Sequence, residues 1–136
     1  MGPSRLWDQD LGANDEELAP EHHLQLTLVN ALTLALQQGR PAVARRVAEQ
    51  LHGYSAAHFA GEELLMEAAA YAQLASHRQE HQNLLAHIAE MRALVSSGER
   101  ELATVMALDL RTELGAHMSA SDRQFLELHE RPRDVQ

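Results

Sequence analysis

The stretch His58-Phe59-Ala60-Gly61-Glu62-Glu63-Leu64-Leu65-Met66, followed by His77-Arg78-Gln79-Glu80-His81, decides the fold. It holds two pairs of candidate metal ligands, His58 with Glu62 and His77 with His81, each spaced i, i+4. Residues four apart on an α-helix share a face, one turn above the other. Each pair therefore presents two donor atoms to one point. Neutral imidazole suits iron, zinc, copper and nickel, and a carboxylate can bridge two metals. The pattern predicts half of a metal site buried in a helical bundle, with the rest of the chain supplying the other half.

The bulk composition agrees. The 136 residues suffice for one domain with a real core. They are rich in Ala, Leu, Glu and Gln and only 4% aromatic, which favours helix over sheet. A formal charge of −9 without a Lys/Arg cluster argues against nucleic acid or an anionic membrane as the main partner. The absence of cysteine excludes disulfides, iron–sulfur clusters and thiolate zinc sites. With no apolar leader and no long apolar run, the chain is expected to be cytoplasmic. Nine histidines are a high count for this length and need a reason.

Outward from the motif, residues 1–18 lack helical periodicity and read as an extended arm, with Leu6 and Trp7 as packing anchors. A first helix starts near Pro20, a favoured first-turn residue, and runs to the break at Gly39-Arg40-Pro41. Its first turn holds His22 and His23, which point about 100° apart, so only one faces the core. The series Leu26, Val29, Thr33 and Leu36 that follows His22 is the more apolar, which selects His22 as the buried one. A second helix runs from Pro41 to Glu67 or Tyr71, with an expected inner stripe of Val43, Val47, Leu51, Tyr54, His58, Glu62, Leu65 and Met66. A third begins between Ala72 and Ser76, where Ser76 and Gln79 resemble a capping box. Its inner stripe is His77, His81, Leu84, Ile88, Met91 and Val95, and it ends at Ser96-Ser97-Gly98. A fourth runs from Glu99 to Leu128, with Leu102, Met106, Leu110, Glu113 and His117 facing inward and Asp122 five residues on. His52, His87 and His129 read as surface or boundary residues, and residues 130–136 as a frayed tail.

Four amphipathic helices with short connections predict an all-α, up-down-up-down antiparallel four-helix bundle, residues 19–129, within a single domain spanning 1–136. In that topology the starts of the first and third helices meet the ends of the second and fourth. His22, His58, Glu62, His77, His81, His117 and Asp122 then converge on one level of the core. Burying so many polar groups without a metal would leave too many of them unpaired. Ligand type alone does not select iron over zinc or manganese.

This layout resembles the hemerythrin family. The residues that carry the likeness are His58-Phe59-x-x-Glu62-Glu63-x-Leu65-Met66, His77-x-x-x-His81, His117-x-x-x-x-Asp122, and His22 preceded by Glu21 and followed by Asn30. Trp7 is similar to the family's N-terminal arm, and the likeness covers essentially the whole chain. The resemblance implies two non-haem iron ions that bind O2 reversibly. It places His77, His81 and His117 on one iron and His22 and His58 on the other, which keeps an open position. Glu62 and Asp122 would bridge the irons, together with an oxo or hydroxo group. An apolar shell from Leu26, Phe59, Leu65 and Met66 would exclude water.

Two features depart from a plain reading. His117 and Asp122 lie about 140° apart on an ideal helix, so a π-type turn or distortion is expected near Met118 to Asp122. The family commonly has a tryptophan at the position of Glu113. Glu113 either turns to solvent or pairs with an arginine, leaving an oxygen carrier, or approaches the irons as an extra ligand or acid. The second case favours a di-iron redox enzyme acting on peroxide or NO. A sensory module signalling through a protein partner is a third role for the same centre.

Overall fold

The computed structural model describes residues 19–122, 124 and 125, with side chains from His22 to Ala120 and at Gln124 and Phe125. The arm, the tail, His129 and the side chain of Asp122 lie outside this set. Four α-helices follow one another: α1 (Ala19–Gln37), α2 (Pro41–Ala68), α3 (Leu74–Ser96) and α4 (Arg100–His117). A π turn, Met118–Asp122, continues α4 at the spacing where a distortion was expected. Each helix packs on its chain neighbours and α1 closes on α4, which makes an antiparallel four-helix bundle. There is no strand among the described residues.

Local chemistry explains the helix ends. Pro41 opens α2 at a position where its missing N–H costs nothing. The first three helices end in the same double hydrogen bond. At the end of α1, Gly39 N–H donates to Leu36 O (3.2 Å) and Arg40 N–H to Ala35 O (2.9 Å). At the end of α3, Gly98 N–H donates to Val95 O (3.2 Å) and Glu99 N–H to Leu94 O (2.9 Å). This closure needs a left-handed residue, and Gly39 (φ 67°) and Gly98 (φ 81°) supply it without a Cβ penalty. At the end of α2 the same position is Ala70 (φ 53°), with Ala70 N–H on Glu67 O and Tyr71 N–H on Met66 O. An alanine there is strained. The third helix starts at Leu74 with Gln73 as its cap, so Ser76 lies inside the helix and does not cap it.

The buried faces follow alternating steps of three and four residues. On α1 they include His22, Gln25, Val29, Leu32 and Leu36, with Ala35 beside them. On α2 they include Ala44, Ala48, Leu51, Ser55, His58, Glu62 and Met66, with Phe59 beside His58. On α3 they are His77, His81, Leu84, Ile88, Met91 and Val95, as the periodicity predicts. On α4 they are Ala103, Ala107, Leu110, Leu114 and His117. A mean step near 3.5 is the signature of helices packed nearly antiparallel with interlocking side chains. The 3.6-residue stripe drawn through the ligands expects Val43, Val47 and Tyr54 on α2 and Leu102 and Met106 on α4. Instead Ala44, Ala48, Ala103 and Ala107 are fully buried, and Leu102 is 57% exposed. The four alanines let α2 and α4 approach the centre closely, and the larger neighbours move to the flanks.

Candidate metal centre

His22 sits in the first turns of α1, His58 and Glu62 late in α2, His77 and His81 early in α3, and His117 at the end of α4. The antiparallel order brings these six side chains together at one end of the core, each at most 5% exposed. They form two clusters that share one residue: Glu62 with His77, His81 and His117, and Glu62 with His22 and His58. The rings of His77, His81 and His117 form a near-equilateral triangle, with centroids 4.8, 4.9 and 4.9 Å apart. His22 and His58 make a separate edge-on pair at 5.1 Å.

Glu62 divides its two oxygens between these groups. Oε2 lies 3.2 Å from His22 Nε2 and 3.3 Å from His58 Nε2. Oε1 lies 3.0 Å from His81 Nε2, 3.9 Å from His77 Nε2 and 4.0 Å from His117 Nε2. A carboxylate placed this way can join two cations, one per oxygen.

The outer nitrogens of two ligand candidates are tied down. His81 Nδ1 donates to Glu63 Oε2 at 2.7 Å, and His117 Nδ1 donates to Glu80 Oε1 at 2.6 Å. An ionised carboxylate only accepts, so each Nδ1 carries a proton, and the neutral form of each imidazole then turns an Nε2 lone pair inward. Those two Nε2 atoms are 3.1 Å apart, beside Glu62 Oε1. Lone pairs converging at this distance repel unless a cation lies among them, so the donor set fits a metal ion. Glu63 also accepts from Arg78 Nε (3.3 Å), which steadies its carboxylate between α2 and α3.

Apolar side chains close the centre. The Phe59 ring stacks on His81 (4.2 Å, 11°) and meets His117 edge-on at 5.9 Å. Met66 and Phe125 seal the end of the bundle with Tyr71 and Leu74. One layer toward the middle, Gln25 Nε2 donates to Ser55 Oγ at 2.8 Å in a buried bond. Of the expected apolar shell, Phe59 and Met66 are buried and Leu26 is partly so, but Leu65 is 45% exposed. It lies one position from the buried Met66, about 100° around the helix.

The remaining sequence candidates divide clearly. His23 is half-buried and belongs to neither cluster. Asp122 is placed only by its backbone. It falls in the π turn, whose i→i+5 hydrogen bonding turns less per residue than an α-helix and so narrows the angle between positions 117 and 122. Glu113 joins neither cluster. Its Oε1 accepts from His87 Nδ1 at 3.0 Å, and both side chains are about two-fifths exposed (40% and 42%). Of the two expected courses, a turn toward solvent or an arginine and an approach to the irons, the first fits its exposure, with a histidine as the partner in place of an arginine. Glu113 and Glu80 line an open cleft of about 380 Å³ between α3 and α4 that reaches His117. Sequence reasoning missed the roles of Glu63, Glu80, Gln25 and Ser55. Glu63 and Glu80 were visible only as acids beside ligand positions, Glu63 next to Glu62 and Glu80 next to His81.

The family model for the hemerythrin HHE cation binding domain matches residues 14–128. A bacteriohemerythrin of Stenotrophomonas maltophilia is 27% identical over 120 residues, which cover 88% of this chain and 78% of that protein. One from Ralstonia nicotianae is 29% identical over 123 residues, 90% of this chain and 87% of that protein. One from Pseudomonas aeruginosa is 31% identical over 94 residues, 69% of this chain and 61% of that protein. No solved structure matches the chain significantly.

Proposed function

The chain belongs to the hemerythrin family, and from that premise we propose that its buried centre holds two iron ions and binds O2 reversibly. The single observation that carries this reading is the division of Glu62, with Oε2 facing His22 and His58 and Oε1 facing His77, His81 and His117. A single-ion site has no use for two imidazole groups on opposite oxygens of one carboxylate. In this reading His77, His81 and His117 would hold one ion and His22 and His58 the other, with Glu62 and Asp122 as ligands shared between them.

When bound, ferrous ions in such a site supply reversible two-electron exchange with O2. The chain's own residues set the conditions for it. The two-histidine pocket offers one imidazole fewer, which would leave room at its ion for a small ligand. The Phe59 ring, packed against His58, His81 and His117, sets apolar surface beside the centre and limits water there. Glu62 stays buried among imidazoles. No helix among the described residues is long and apolar enough to cross a membrane.

The competing reading is a peroxide- or NO-handling enzyme in which Glu113 delivers a proton. The hydrogen bond from His87 holds Glu113 at the cleft rim, which favours oxygen binding over that chemistry. The deciding experiment loads the chain anaerobically with ferrous iron, measures iron per chain, admits O2 and then removes it. Two irons per chain and a visible absorption band that comes and goes with O2 are expected. Direct, unrecoverable conversion to ferric protein would overturn reversible binding.

A further inference from the structure

Glu63 and Glu80 stand outside both candidate ligand clusters, yet each grips the far nitrogen of an imidazole inside one. We propose that these two carboxylates make the three-histidine pocket the tighter of the two, so that it fills first and empties last. The inference rests on the two-ion reading above.

The donor sets are unequal to begin with. Three imidazoles and Glu62 Oε1 face one pocket, and two imidazoles and Glu62 Oε2 face the other. Glu63 on His81 (2.7 Å) and Glu80 on His117 (2.6 Å) then act on the richer pocket twice over. Their acceptance of the Nδ1 protons fixes the tautomers and orientations of these two rings before an ion arrives. Their negative charge makes each imidazole a stronger donor and attracts a dication through the ring. Glu63 is the better placed of the two. It is 24% exposed and braced by Arg78, whereas Glu80 is 44% exposed on the open cleft, where water screens its charge.

The test withdraws iron from the loaded full-length protein with a strong chelator and follows iron retained per chain against time. Two phases are expected in the parent protein, with a one-iron species between them. Glu63→Ala and Glu80→Ala should weaken the retained ion by about 10- to 100-fold, Glu63→Ala more, with the rate of the first phase unchanged. Glu63→Gln still accepts the Nδ1 proton but lacks the charge, so it should fall between the parent and Glu63→Ala. If the alanine variants fold poorly, Glu63→Gln and Glu80→Gln carry the same comparison. Release of both ions in one phase from the parent, or equal acceleration of both phases in the variants, would overturn the inference. A parent protein that never holds two irons would instead refute the two-ion reading itself.

Discussion

The two ends of the bundle share one backbone design and differ in what fills it. Away from the histidines the core is hydrocarbon: Leu36, Ala44, Ala48, Ile88, Met91, Val95, Ala103 and Ala107 interlock and are almost wholly buried. At the other end the same three-and-four spacing presents His22, His58, Glu62, His77, His81 and His117. The hydrocarbon end gains its stability from removing apolar area from water, about 25 cal/mol per Å². The histidine end cannot. Its polar groups lose hydration on burial and recover that cost through mutual hydrogen bonds and, in the proposed function, through a metal. One end therefore stands on the polypeptide alone, and the other, in the proposed function, is coupled to its metal.

The sharpest way to break this comparison is to remove the shared carboxylate. Glu62→Ala should abolish iron retention at both pockets. Hydrogen exchange should then show lost protection near His22 and His117, by about 4 kcal/mol if the ion was present at roughly 1,000 times its dissociation constant. Protection around Ile88 and Leu110 should persist. Uniform loss along all four helices would show that the two ends are one cooperative unit. The converse is Ile88→Ala in the hydrocarbon end, expected to cost about 2–5 kcal/mol in chemical denaturation. Iron per folded chain should not change.

His22→Ala against His23→Ala sharpens the boundary of the centre. The first should lose the ion of the two-histidine pocket, and the second should keep the parent's iron content. Equal losses would break the assignment of His22. Ala70→Gly tests the turn beside the metal end and should raise stability by about 1 kcal/mol, because glycine relieves the left-handed strain. Glu113→Gln should cost a few tenths of a kcal/mol at most, since its pairing with His87 is half-exposed. It should also leave reversible oxygenation intact, and loss of the recoverable oxygenated form would return Glu113 to the chemistry.

Legibility varied from helix to helix, for physical reasons. On α3 every inner position was readable, because the ligands and the aliphatic residues fall on one unbroken three-and-four series. On α2 and α4 the same count admitted two adjacent series, Val43 and Val47 or Ala44 and Ala48, Leu102 and Met106 or Ala103 and Ala107. Hydrophobicity favours the larger residues, whereas close helix packing buried the alanines. The π turn at Met118–Asp122 was readable because a spacing of five between two expected ligands, His117 and Asp122, does not fit one face of an α-helix. Gln25 and Ser55 were not, since a buried polar pair is recognisable only when the partner on the other helix is known.

From the residues alone came the four helices, their antiparallel order, the end at which the candidate ligands meet and the family likeness. These depend on spacing along single helices and on short connections, both local properties. Tertiary structure decided which of two neighbouring positions turned inward, which oxygen of Glu62 faces which imidazoles, that Glu113 meets His87, and that Glu63 and Glu80 hold His81 and His117. Adjacent residues on a helix differ by about 100°, so sequence leaves such choices nearly balanced. Only the shape and charge of the facing helix tip them.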